Sequence, residues 1–286
     1  MTSPSGRSTR FVPFSDAALD VSLRSRRPRG VTVKTPEQVQ KMRRAGLVVA
    51  EGLARMAEAV RPGVTTGDLD AIGRAVLEQA GATSSFLGYG GFPGVICASV
   101  GAEVVHGIPG TRRLAEGELC SIDFGAIVDG WHGDAAVTVP VGECDADLLE
   151  LNRVTQESLW AALRVVRPGG RLSDIGAAVE GVVRPHGYGL LEDYTGHGIG
   201  TSMHEPPYVP NLAPDGPGKG MALDVGIVLA VEPMATLGGA DTITLDDDWT
   251  VVTADGRQAA HWEHTVAVTP DGPWVLTAFD GGAAQL

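Results

Sequence analysis

The sequence predicts an α+β protein made of two related halves, on three observations. Helix-period and strand-like runs follow one another along the chain, one plan of elements occurs twice at a fixed offset, and a strong hairpin signal lies between the two copies.

Order is expected to begin at Thr35-Pro36-Glu37-Gln38. Thr suits an N-cap, Pro suits the first helical turn, and Gln three residues on completes a capping box. Val39, Met42, Gly46, Val49, Leu53, Met56 and Val60 then recur at helical spacing until Arg61-Pro62-Gly63 stops the helix. A second helix follows Thr66, with Leu69, Ile72, Val76 and Leu77 on one side and Gly81 as its stop.

The same plan returns downstream. Asp147 to Val166 is helical in pattern and stops at Arg167-Pro168-Gly169, and Arg61-Pro62-Gly63…Asp68-Leu69…Ala71 is matched by Arg167-Pro168-Gly169…Asp174-Ile175…Ala177 at a constant offset of 106 residues. A diverged duplication of this kind places two halves about a pseudo-twofold axis, and a site between them draws ligands from both.

Leu119–Val128 and Trp131–Val139 read as strands joined by Asp129-Gly130, a dipeptide that favours a two-residue hairpin turn. Facing Val128 with Trp131 sets Asp134 opposite Gly125, which makes it a diagonal neighbour of Asp123 on the same face. Two carboxylates about 7–8 Å apart by backbone position suit a pair of divalent metals. On the hairpin alone, two exposed turn-flanking carboxylates remain an equal reading.

The second half supplies further candidates. His197 lies in Gly196-His197-Gly198-Ile199-Gly200, Glu232 follows the apolar run Ile227–Val231, and Glu263 sits in an alternating strand pattern from His261 to Val266. A glutamate in an apolar strand is costly to bury unless it is paired or bound to metal. Other motifs fail: Tyr208 stands where a zinc-protease helix after His204-Glu205 requires histidine, and the glycines around His197 have the wrong spacing for a dinucleotide loop.

The 286 residues, 43% hydrophobic and 20% charged, describe an ordinary globular chain, and no apolar run approaches the roughly 18 residues of a membrane helix. Cys97, Cys120 and Cys144 are too scattered for a disulfide framework. Residues 1–44 carry +7, so the net −13 leaves −20 for the remainder, which argues against nucleic acid as the main ligand. Residues 1–34 read as a flexible basic extension able to touch a ribosome surface, and residues 35–286 as the folded domain; the expected location is the cytoplasm.

Taken in order, Val105-His106-Gly107-Ile108-Pro109, Ile122-Asp123-Phe124-Gly125, Asp129-Gly130-Trp131-His132-Gly133-Asp134, Gly196-His197-Gly198-Ile199-Gly200, His204-Glu205-Pro206, Val231-Glu232-Pro233-Met234 and Glu263-His264-Thr265 resemble the type I methionine aminopeptidases. The resemblance runs from about Thr35 to Thr277 and implies a pita-bread fold, with pseudo-twofold halves around a central antiparallel sheet. It implies Asp123, Asp134, His197, Glu232 and Glu263 as ligands of two divalent ions (Co, Mn, Fe or Zn), with a monovalent cation near the turn before His106. It implies His106 and His204 as substrate-contacting histidines, and Glu232, a carboxylate at the site, is the expected proton shuttle.

The methionine pocket maps by the same resemblance onto Phe86, Tyr89, Phe92, Cys97, Met203 and Trp249. Phe86 stands where a small residue is usual, Met203 where an aromatic is usual, Gly101-Ala102 where Asn and an acid are usual, and His261 where Gln is usual. The implied activity is removal of the initiator methionine from nascent polypeptides with a small second residue, by a monomer. The rivals are a proline-specific peptidase of the same fold and a non-catalytic relative that associates with ribosome or RNA.

Overall fold

The structure, a computed structural model, describes residues 29–286. Residues 1–28 of the expected extension lie outside the described residues. Residues 31–34, counted from sequence with that extension, run along the body instead: Lys34 is 5% exposed and its N–H donates to the Gly226 carbonyl at 2.8 Å.

Four α-helices carry the repeated plan among the described residues: α1 (Pro36–Ala59), α2 (Thr66–Ala80), α3 (Ala146–Arg164) and α4 (Leu172–Val183). Thr35 caps α1 in a capping box with Gln38, and Gly81, at φ 61°, ends α2 in the left-handed region that glycine favours. The cap of α2 is Thr65, one residue before the expected position, and its N–H donates to Asp68 at 2.8 Å. The Arg171 N–H donates to Asp174 at 2.7 Å in the matching place on α4.

The duplication extends to the backbone. Gly63 N–H to Leu114 O, Leu114 N–H to Val64 O and Thr66 N–H to Arg112 O recur as Gly169 to Leu223, Leu223 to Gly170 and Leu172 to Met221, all at 2.8–3.0 Å. Each helix pair is thus tied to its own half by the same three bonds.

The strands are β1 (Thr83–Ser84), β2 (Ile96–Val100), β3 (Glu103–Val105), β4 (Glu118–Val128), β5 (Trp131–Val141), β6 (Gly189–Leu190), β7 (Gly196–Gly198), β8 (Glu205–Val209), β9 (Val228–Val231), β10 (Met234–Thr236), β11 (Thr242–Thr244), β12 (Val251–Thr253), β13 (Ala259–His261), β14 (Glu263–Thr269) and β15 (Gly272–Val275). Among the described residues, nine of them form one antiparallel sheet in the order β1-β4-β5-β14-β9-β7-β8, with β2 also on β4 and β15 also on β14. β5 and β14 meet at its centre, so the halves are joined by sheet hydrogen bonds. The continuous strand expected through Glu263 is broken at Trp262: β13 pairs with β10 in a small separate sheet, and β14 pairs with β5 and β9. The Trp262 N–H turns to the Pro233 carbonyl at 3.3 Å, so two adjoining stretches serve different sheets.

The helices cover one face. Leu53 and Met56 of α1, Leu69 of α2 and Ile122 and Phe124 of β4 form one core, and Leu159 and Leu163 of α3, Val179 of α4 and Leu229 and Val266 form the other. Burying each such side chain contributes about 1.5–3 kcal/mol. α1 lies so close to the hairpin that a Cβ on Gly133 would stand 2.7 Å from the Gly46 nitrogen, so glycine is required there. Alternation along β4 and β5 turns Phe124, Gly133 and Ala135 toward the helices and Asp123 and Asp134 toward the opposite face.

Candidate metal centre and substrate pocket

The hairpin has the expected register: Val128 faces Trp131 and Gly125 faces Asp134, with Asp129 and Gly130 both at positive φ in the turn. Asp123 pairs with Ala136, which in turn pairs with Glu263, so the two acids share a row across the joined halves. His264 faces Val231, so one further step along that register brings Glu232 beside Glu263. His197 on β7 faces Ala230 of β9. All five expected ligands therefore converge.

The donor atoms of Asp134, His197 and Glu263 lie within 4.8 Å of one another. The His197 Nε2 is 3.8 Å from Asp134 and 3.7 Å from Glu232. Asp134 lies beside Asp123 and Glu263, whose charges add to burial in pushing its carboxyl up, and such a group of acids needs protons or cations between them. Burial raises the Asp123 carboxyl to about 7. Asp134, Glu232 and Glu263 are raised well above the usual range, first by burial and then by each other's charge. His197 is lowered to about 3, mainly by burial, and so presents a neutral imidazole.

One oxygen each of Asp123, Asp134 and Glu263 is buried without a hydrogen-bond partner. Buried acceptors of this kind call for a positive centre. Four hard carboxylates with one imidazole fit a pair of divalent transition ions better than a structural zinc. Supporting contacts hold the candidate ligands: the Thr265 hydroxyl donates to the Asp134 carbonyl at 2.7 Å and accepts from its N–H at 3.1 Å, and the Asn211 amide donates to the Glu232 carbonyl at 3.0 Å.

Beside the acids lies an apolar cluster containing Phe86, Phe92, Cys97 and Met203, with Trp249 packed against it. Cys97 is paired with Asp123 across β2 and β4, so the cluster abuts the acids directly. Burial pushes the Cys97 thiol well up, and the nearby carboxylates add to the effect, which makes it a packing surface rather than a nucleophile. Phe92 meets Trp249 edge-on at 5.1 Å. Tyr89 differs from the other expected lining residues: it is 42% exposed and its hydroxyl is 2.8 Å from His204 Nδ1, which puts it at the rim.

The rings of His204 and His197 are 4.3 Å apart, and His106 stands 6.2 Å from Trp249. His106 and His204 are each lowered to about 4, by desolvation first and then by a neighbouring histidine. His106 has φ 60°, a left-handed conformation uncommon outside glycine that aims its ring from the end of β3. His261 belongs to the centre too, with Nε2 buried, unpartnered and 3.7 Å from Glu232. Its signal in the sequence was position, two residues before Glu263; Thr265 stood in the Glu263-His264-Thr265 segment with no role attached and Asn211 left no signal, because their roles arise only when distant segments meet.

Buried acids drawn from both halves of a duplicated α+β fold, next to an apolar cluster flanked by neutral histidines, equip the chain as a metal-dependent hydrolase. The model of metallopeptidase family M24 matches residues 40–270. Methionine aminopeptidase 1 of Mycobacterium tuberculosis is 49% identical over 263 residues, covering 89% of this chain and 97% of that protein. The Bacillus subtilis methionine aminopeptidase 1 is 44% identical over 247 residues, covering 86% and 99%. Among solved structures, the Thermotoga maritima methionine aminopeptidase superposes with a TM-score of 0.84 at 40% identity, over 86% of this chain and 99% of that one. The prolidase of Pyrococcus furiosus, at 21% identity, TM-score 0.69 and 65% of its own length, shares the fold. The chain belongs to metallopeptidase family M24 and, within it, to the methionine aminopeptidases.

Proposed function

We infer that this chain removes the initiator methionine from polypeptides whose second residue is small. The observation that carries the reading is the junction of the buried acids with the apolar cluster at Cys97 and Asp123. A methionine side chain seated against Phe92, Met203 and Trp249 leaves its own carbonyl at the acids, and its thioether suits aromatic walls. With Cys97 paired directly to Asp123, a side chain seated on the cluster puts the first peptide bond at the acids, as an exopeptidase requires.

When bound, two divalent ions held by Asp123, Asp134, His197, Glu232 and Glu263 supply Lewis acidity and lower the pKa of a water. The residues do the rest. His106 and His204, neutral at physiological pH, offer N–H donors to the oxygen that gains charge as the carbonyl is attacked. Glu232, 3.7 Å from both His197 and His261, takes up a proton from the attacking water and delivers it to the leaving amine. Thr265 and Asn211 hold Asp134 and Glu232 in place throughout.

The reading includes a monomer acting in the cytoplasm on nascent chains, where a basic N-terminal segment can meet the ribosome. No helix among the described residues is long and apolar enough to cross a membrane. Hydrolysis of Met-Ala-Ser beside an X-Pro peptide, with and without chelator, is the test. Chelator-sensitive cleavage of Met-Ala-Ser is expected; preference for X-Pro selects the proline-specific rival, and no cleavage of either by metal-loaded protein selects the non-catalytic one.

A further inference from the structure

Lys34 is the first described lysine of the chain and one of its most enclosed charges. It lies on the extended stretch before α1, with a side chain 3% exposed, and its ammonium is 2.9 Å from Glu205 Oε2. The same ammonium donates to the Thr32 hydroxyl at 2.5 Å, which itself donates to that Glu205 oxygen at 2.6 Å. The three groups close a triangle across 171 residues of sequence.

The triangle is built into the fold. The other Glu205 oxygen accepts from the Ser202 N–H at 3.3 Å, and the Gly200 N–H donates to the Ser202 carbonyl at 3.1 Å. The Gly200 carbonyl in turn accepts from the His132 N–H at 2.9 Å. A Cβ on Gly200 would stand 2.5 Å from Glu205 Oε1 and 2.8 Å from Lys34 Cε, so the turn lies directly against the ion pair and any side chain there would push the pair aside. Residues 200–205 are thus gripped at both ends, and that turn carries Met203 into the apolar cluster and His204 to the rim.

A buried ion pair is a poor device for stability alone, since hydrophobic residues of similar volume often do as well or better. Burial holds Lys34 below the usual lysine range in spite of its carboxylate partner, which records the cost of enclosing it. What the pair supplies is direction: a fixed length and angle between the N-terminal stretch and the residue next to His204.

We propose that the Lys34–Glu205 pair, closed by Thr32, is a clasp that places His204 against the substrate, making Lys34 a positioning residue for the hydrolysis. The proposal rests on the reading of His204 as a substrate-contacting group. The clasp acts through the 200–205 turn and makes no contact of its own with Asp123, Asp134, Glu232 or Glu263.

The test uses the full chain, Met-Ala-Ser hydrolysis, and a Co²⁺ titration followed by absorbance. Lys34→Met is expected to lower kcat/KM about ten- to a hundredfold, the scale of a small misplacement of an active-site group, with Co²⁺ affinity unchanged. Lys34→Arg is expected to restore most of the loss. In a His204→Ala background, Lys34→Met is expected to cost less than about twofold more, because its effect runs through the missing ring. Multiplicative losses in the double variant overturn the proposal, as does Lys34→Met with wild-type kcat/KM. Wild-type activity in His204→Ala alone overturns the substrate-contact reading, and the clasp with it, whatever Lys34→Met does. Should Lys34→Met fail to fold, Glu205→Gln, which keeps the shape and removes the charge, is read by the same criteria.

Discussion

The two halves share a plan but feed the candidate metal centre differently. The first half delivers Asp123 and Asp134 from one hairpin, where a two-residue turn sets their register. The second delivers His197, Glu232 and Glu263 from β7, the end of β9 and the start of β14, which converge only when the sheet is complete. One half carries its candidate ligands by local geometry, the other by assembly, and Thr265, hydrogen-bonded to the Asp134 backbone, stitches the two.

The comparison breaks most sharply at the hairpin. Asp134→Asn is expected to lower kcat/KM by more than about a hundredfold, beyond the range for losing a merely supporting contact. Asp241→Asn, at an exposed position, is expected to leave it unchanged, and steady-state kinetics on Met-Ala-Ser read both. Equal effects would mean that the hairpin carboxylates are not ligands. One step smaller is the seam: Thr265→Val keeps the shape but loses both bonds to Asp134, and about a ten- to hundredfold loss of metal affinity by calorimetry is expected.

Proton linkage sharpens the same contrast. With Asp123 raised to about 7 in the fold from an ordinary 3.8, the metal-free fold holds protons that the unfolded chain releases. The stability this contributes is present at low pH and is lost as pH rises through about 7, and Asp134, Glu232 and Glu263 act in the same direction. The buried histidines, His197 among them, act oppositely but only below 6.5, their ordinary value. From pH 6.5 to 8.5 the Tm of metal-free protein is therefore expected to fall more steeply than that of metal-loaded protein, as differential scanning calorimetry would show. Parallel slopes would mean that the acids are solvated in solution.

How much of this was legible in the sequence follows the local-versus-assembled division. Thr35-Pro36-Glu37-Gln38 announced α1, Asp129-Gly130 set the register that joins Asp123 to Asp134, and the Arg-Pro-Gly stops marked the repeat, because each depends on residues close in sequence. The convergence of His197, Glu232 and Glu263 was carried by family resemblance, since no local rule pairs β14 with both β5 and β9. The break at Trp262 was hidden because alternation looks the same whether one strand continues or two adjoin. Tyr89 with His204, Lys34 with Glu205 and Thr265 with Asp134 are side-chain contacts between distant segments and had no sequence signature at all.

The smallest expected effect concerns the apolar cluster. Phe86 is 8% exposed and packs against Gly125, opposite Asp134, in the cluster that holds Met203. Phe86→Cys removes a ring whose volume the flexible Met203 accommodates, so the kcat/KM ratio for methionine over norvaline is expected to shift by about 1–3 kcal/mol or less, with metal affinity unchanged. An unchanged ratio with a lower Tm would make Phe86 a core residue only.

Anomalous diffraction from crystals of the Mn²⁺-loaded protein tests directly whether both halves build one two-metal centre. Two peaks about 3.5–4 Å apart are expected, enclosed by Asp123, Asp134, His197, Glu232 and Glu263. Strong peaks elsewhere, or a single ion held by one half alone, would contradict it.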